Sequence, residues 1–273
     1  MTSKKIINII IIAVCIFSII IGTIFFFIVR FNKKEIETTN NQTEEYLTQE
    51  ELKKNFYDIF NNQLNNSDYD ISNIPKFDDS KNIVYTVYSA NEKKDNYEVN
   101  LNLPIVNINS EVTANFNNIT QEIFANKAND IYEGTDKKTI YSVTYTGFIN
   151  GDILSVVIKS TLKEGNSAQR VIVQTYNYNL KTGKEATIYD VISKRELEES
   201  EVSTKIKNQI KEAIKEANDI QISGYEVYSR NINDDMYEVE NTSTYYLGAD
   251  GKLYIIYAYG NESFTSEMDI IVI

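Results

Sequence analysis

Histidine is absent from this 273-residue chain, and the single cysteine, Cys15, lies inside an apolar run. Those two shortages remove whole classes of chemistry. Zinc sites built from His or Cys, Ser-His-Asp and Cys-His nucleophile systems, haem ligation through His and thiol redox chemistry each lack an essential group. A disulfide within one chain is excluded too. Acidic side chains are missing from one region only: all 39 lie after residue 34, whereas five of the 27 basic residues lie before residue 35. Taking those five from 27 leaves 22 basic against 39 acidic side chains, a net charge of −17 for the body. A body this acidic repels phosphate backbones, so nucleic acid is not expected as a partner, while cationic partners are favoured. No enzyme activity, cofactor or bound metal is expected.

What the chain does have is a long apolar run. Ile6 to Val29, "IINIIIIAVCIFSIIIGTIFFFIV", is 24 residues without a charge. As a helix rising 1.5 Å per residue it reaches about 36 Å, enough for a hydrocarbon core of about 30 Å. A transmembrane helix is therefore predicted over 6–29. A cleaved signal peptide would have a shorter apolar core and a small-x-small site, and neither is present. Val14 is too large for the residue before a lipidated cysteine, so lipidation is not expected. Lys4 and Lys5 on one side nearly balance Arg30, Lys33 and Lys34 on the other. Because a single early span normally acts as a signal anchor, residues 1–5 are predicted to be a cytoplasmic stub, with the body outside the cell membrane.

Residues 30–80 read as a stalk. A polar tether leads to Thr48 and Glu51, a capping-box signature ahead of the helical stripe Leu52, Phe56, Ile59 and Phe60. A loose stretch rich in Asn, Asp and Ser follows. From residue 81 the pattern becomes short alternating runs, "NIVYTVYS" and "YEVNLNLPIV", then a helix from Ser110 to about Ala128 with Val112, Phe116, Ile119 and Ile123 as its apolar stripe. Strand, strand and helix make a small α+β lobe over 81–136. Residues 137–273 read as an antiparallel sheet plus helix. Asn150-Gly151 marks a hairpin in which both turn positions need positive φ. "EGN" and "KTGK" mark further turns, and Glu201–Ala217 carries Val202, Ile206, Ile210, Ala213, Ile214 and Ala217 on one face. "MYEVENTSTYYL", "KLYIIYAY" and "MDIIVI" are expected to complete the sheet. "KLYIIYAY" is apolar on both faces, which places its tyrosines in the core of an interior strand. The fold class is α+β: an N-terminal transmembrane helix, then an antiparallel-sheet ectodomain with packed amphipathic helices.

The order "NYEVNLNLPIV", "NNITQEIF", "YSVTYTGFINGDILSVVIKS", "TYNYNLKTGKEATIYDVI" and "YYLGADGKLYIIYAYG" resembles the paired extracytoplasmic domains of the RsiV-like family over about residues 81–273. That family includes a lysozyme-binding anti-sigma-factor ectodomain and the accessory domains of PdaC-type peptidoglycan deacetylases. Only Met1–Lys5 precede the apolar run, where such anti-sigma factors carry a sigma-binding segment, so sigma-factor inhibition is not expected. The deacetylases use metal-binding His and Asp, and a chain without His is not expected to share that activity. The resemblance implies a membrane-anchored extracytoplasmic module that binds or senses something at the cell envelope, a cationic protein such as lysozyme being the sharpest candidate. The alternative is a cell-wall accessory or structural protein that contacts peptidoglycan.

Two stretches offer candidate ligands. "EVYSRNINDDMYEVE", Glu226–Glu240, mixes acids with tyrosines, and Asp234, Asp235 and Tyr237 are the candidate binding residues for a basic protein surface. A solubilising loop accounts for the same composition. "DYDISNIPKFDD" places oxygen-bearing side chains at positions 1, 3, 5 and 12 of a calcium-loop template, yet has Asn73 where that loop needs Gly and Asp79 where it needs Glu. A solvated linker fits it as well.

Overall fold

A capping box starts the first helix. Thr48 Oγ1 accepts the Glu51 N–H at 3.3 Å, and the Glu51 carboxylate accepts the Thr48 N–H at 2.9 Å. Helix α1, Gln49–Asp58, follows as the Thr48/Glu51 spacing predicts. The computed structural model describes residues 47–66, 69–219, 229–259 and 267–273. The predicted cytoplasmic stub and transmembrane span lie outside them, and among the described residues no helix is long and apolar enough to cross a membrane.

The segment read as a stalk is part of the fold from Leu47 onward, within one compact unit that runs to Ile273. Leu52 and Phe56 of α1 are buried against Phe148, Tyr246 and Ile270. Asn62 then takes a left-handed turn at φ 56°, and strand β1, Leu64–Asn66, pairs into the sheet. A spacer would gain nothing from burying Phe56; here its burial is worth about 2–3 kcal/mol.

The main sheet contains β1, β2 (Val84–Lys93), β3 (Tyr97–Val106), β4 (Thr139–Asn150), β5 (Ile153–Glu164), β6 (Arg170–Asn179) and β7 (Lys184–Glu185), in the order β2-β3-β4-β5-β6-β7. It is mixed, not antiparallel throughout. β3 runs parallel to the first half of β4, and β1 runs parallel to its second half. The parallel β3–β4 pair needs a crossover, supplied by α2 (Glu111–Thr120), a π turn (Gln121–Ala125) and α3 (Asn126–Glu133). This pairing makes residues 81–136 and the strands after them one sheet, where the sequence suggested two lobes. The buried face of the crossover is Thr113, Phe116, Thr120, Phe124, Ala128 and Ile131. Ile119 and Ile123, expected on that face, are 39% and 40% exposed. Two threonines take the inward positions instead, and the Thr113 hydroxyl bonds back to the Ile108 carbonyl.

The β4–β5 hairpin forms one residue later than the Asn-Gly reading. Asn150 is the last paired residue, opposite Ile153, so Gly151 and Asp152 make the turn and only Gly151 has positive φ, 57°.

The closing strands build a second, three-stranded antiparallel sheet, not an extension of the first. β8 (Tyr245–Leu247) and β10 (Met268–Val272) flank β9 (Leu253–Ala258). Leu253, Ile255 and Tyr257 pack under α4 (Ile188–Lys194) and α5 (Glu199–Asp219), while Tyr254 and Ile256 face the core beneath α1. The interior position expected for "KLYIIYAY" follows from those two apolar faces. Met236–Asn241, expected in a strand, instead winds through two 3₁₀ turns, Asp235–Tyr237 and Val239–Asn241.

Side chains join the two sheets. Ser155 Oγ donates to Asn177 Oδ1 at 2.6 Å and accepts the Leu247 N–H at 3.0 Å, and Asn177 Nδ2 donates to the Tyr245 carbonyl at 2.8 Å. On the far edge, β10 meets two glutamines. Gln49 of α1 bonds both the N–H and the C=O of Ile270, at 2.9 and 3.0 Å, and Gln209 of α5 does the same to Val272, at 3.1 and 2.8 Å.

Candidate ligand groove and acidic face

A groove of about 510 Å³ opens between the β2–β3 hairpin and the crossover helix. Its floor is apolar: Leu101 and Leu103 of β3 and Ala128 of α3 are buried there. Asn117 fixes the wall to the floor, since its amide bonds both the N–H and the C=O of Val106 at 2.9 Å. The π turn forms part of the wall, a geometry that recurs at functional sites. Tyr88 stands at the rim with the amides of Asn118, Gln121 and Asn129, the Tyr132 ring lines the wall with its hydroxyl buried, and among the described residues no charged side chain lines the groove. Burial, with the phenol of Tyr88 beside it, pushes Tyr132 up to about 12, so it stays a neutral donor at physiological pH. Thr120 lines the groove at 3% exposure, and its buried hydroxyl has no hydrogen-bond partner. Buried polar atoms are nearly always paired.

A second surface is acidic. Thr187 and Asp190 form a capping box that starts α4. Ile188, Val191 and Ile192 turn inward, which leaves Tyr189 on the outer face at 42% exposure. Its hydroxyl lies 3.5 Å from Glu199 Oε1, and partial burial together with Glu199 and Glu240 raises its pKa. Glu240 belongs to the acidic stretch singled out in the sequence.

The three candidate binding residues do not share one surface. Asp234 and Asp235 are exposed, but Tyr237 is buried at 1% exposure, edge-on to Tyr257 at 5.0 Å. The 3₁₀ turn at Asp235–Tyr237 swings that ring under α5, so Tyr237 belongs to the core and not to a contact surface. Sequence reasoning missed Tyr189 and the groove. The i, i+3, i+4 spacing of Ile188, Val191 and Ile192 is the signal that identifies Tyr189 as outward.

Other polar groups serve the fold. Of the calcium-template stretch, Asp68 lies outside the described residues. Asp70 accepts the Ser72 N–H at 2.9 Å and Asp78 accepts from Ser80, local turns that lower the pKa of both carboxyls. Among the described residues, no three His, Cys, Asp or Glu side chains converge as metal ligands. Arg230 pairs with Asp269 in the interior, donates to the Ala213 carbonyl at 3.0 Å and lies 4.5 Å over the Tyr259 ring. Burial still raises the Asp269 pKa against that pairing.

No family model matches the chain, and no curated protein matches it. Among solved structures, it is similar to a DUF3298 family protein from Pseudomonas aeruginosa PAO1, with 11% identity, 69% of this chain and 85% of that one covered, and a TM-score of 0.38. It is also similar to a DUF3298 family member from Bacteroides fragilis NCTC 9343, with 12% identity, 65% and 80% covered, and a TM-score of 0.34. The chain thus has structural similarity, at low sequence identity, to DUF3298 family proteins.

Proposed function

We propose that this chain is a binding module of the cell envelope, without catalysis, anchored by the 6–29 span and docking a cationic protein such as a lysozyme-like muramidase. The observation that carries the reading is Tyr189, an exposed aromatic ring flanked by the carboxylates of Glu199 and Glu240. A Tyr gives contact area at low entropic cost and a polar tip. Surrounding acids steer a basic partner toward it and penalise acidic competitors. The body charge of −17, from 22 basic and 39 acidic residues after residue 34, acts in the same direction over longer range.

The test is titration of the Leu47–Ile273 unit with a cationic muramidase across ionic strengths. Binding should be strongest at low salt and fall steeply as salt screens the charges. Tyr189→Ala and Glu240→Lys should each weaken it about tenfold or more. Absence of binding at low salt, or unchanged affinity in both variants, removes the reading.

A further inference from the structure

We infer that the groove between the β2–β3 hairpin and the crossover helix binds an uncharged, N-acetylated oligosaccharide. It is a separate site from the acidic face and does not depend on it. What the groove lacks is charge. In a chain where 24% of residues are charged, none of the described side chains lining this concavity carries a charge. A phosphate, a carboxylate or a basic peptide would find no counter-ion there.

The groups present are of three kinds. Leu101, Leu103 and Ala128 make an apolar floor. Asn118, Gln121 and Asn129 are exposed carboxamides, each offering a donor and an acceptor. Tyr88 offers an exposed ring face and phenolic tip, and Tyr132 offers its ring, its hydroxyl being buried. A pyranose ring presents C–H bonds on its faces, which lie well against aromatic rings, and equatorial hydroxyls at its edges, which pair with carboxamides. An acetamido substituent adds a methyl for the floor and an amide that hydrogen-bonds Asn or Gln side chains in both directions. A purely apolar occupant, such as an acyl chain, would cover the amide wall and leave it unpaired, which is unfavourable.

Thr120 supplies the independent observation. Its hydroxyl is buried and unpartnered beside the floor, a donor and acceptor that water or a ligand hydroxyl would satisfy. The volume of about 510 Å³ lies within the range of roughly 300–1,000 Å³ typical of small-ligand sites, enough for a short oligosaccharide. The Asn117 clamp on Val106 holds wall and floor together without the ligand, so the site is formed in advance.

The experiment titrates the full chain in lipid nanodiscs with the N-acetylglucosamine trimer, the glucosamine trimer and maltotriose, at low and high salt. The acetylated trimer should bind saturably, at least tenfold tighter than either of the others, with affinity insensitive to salt. Tyr88→Ala and Gln121→Ala, both at exposed positions, should weaken binding tenfold or more with unchanged near-ultraviolet spectra. Thr120→Val keeps the side-chain shape and should weaken it several-fold. Glu240→Lys should leave sugar binding as it was. No saturable binding of the acetylated trimer, equal binding of the glucosamine trimer, or full binding by Tyr88→Ala and Gln121→Ala would each overturn the assignment. Selective uptake of a fatty acid in place of the sugar would overturn it too.

Discussion

Lys159 gives the sharpest test of the physical reading. It lies on β5 at the face covered by α1, with its ammonium 4.2 Å from the Tyr57 ring centroid and 4.4 Å from that of Phe60. Among the described residues no carboxylate pairs with it. Burial alone pushes its pKa from 10.5 down to about 8. Each pKa unit is worth about 1.4 kcal/mol, so holding the charge there costs at most about 3 kcal/mol. The ammonium keeps part of its contact with water, and the two ring faces attract it, which together cut the cost to about 1–2 kcal/mol. Lys159→Met keeps the packing of the stem and removes the charge. Urea denaturation of the Leu47–Ile273 unit at pH 7 should show the variant more stable by about 1–2 kcal/mol. The advantage should shrink as pH rises from 8 to 10.5. In that window the folded protein has already released the Lys159 proton while the unfolded chain still holds it, so the wild type gains stability with pH. Tyrosine ionisation in the unfolded chain affects both proteins alike and cancels in the difference. A variant no more stable at pH 7, or one whose advantage is flat with pH, would refute the claim that the ammonium is desolvated at a cost.

Two further predictions concern single polar side chains. Asn62 holds φ 56° while its Oδ1 accepts from Thr144 Oγ1 at 2.8 Å and from the Tyr145 N–H at 3.1 Å. Asn62→Gly loses only those bonds and should cost about 1–2 kcal/mol. Asn62→Ala adds backbone strain and should cost about 1–2 kcal/mol more; equal melting temperatures would show that the turn is not strained. Asn177→Leu removes one of the links between the sheets and strands the Tyr245 carbonyl and the Ser155 hydroxyl proton, for an expected loss of about 2–4 kcal/mol. Its hydrogen exchange should rise first in β8; uniform acceleration would argue against a local joint.

Much of this architecture was legible locally. Thr48 with Glu51, the apolar face of α5 and the two-sided apolarity of β9 each carry their structural meaning within a few residues. What was hidden depends on partners far along the chain. The three residues of β1 have no period to read, and they become a strand only because the second half of β4 has an open edge. The parallel β3–β4 pair is invisible to turn signals, since a helix and not a hairpin connects it. Tyr237 stands among acids in sequence, and a 3₁₀ turn alone decides that it faces inward. The groove was hidden for a related reason: Tyr88, Gln121 and Asn129 lie on separate elements and look like ordinary surface residues until the crossover brings them together.

The two glutamines on β10 have a consequence for how the chain finishes folding. In an edge strand every second residue turns its N–H and C=O outward, where another strand can add. Ile270 and Val272 are two such positions in succession, and both are occupied by amides from residues 49 and 209. Each amide imitates a neighbouring backbone, so neither a second molecule nor an exchanged copy of β10 can extend the sheet there without expelling it. Both amides leave the ribosome before residues 268–272, so the last strand arrives with its closing partners already made. The interval in which that edge lies open to aggregation is limited to the docking of five residues.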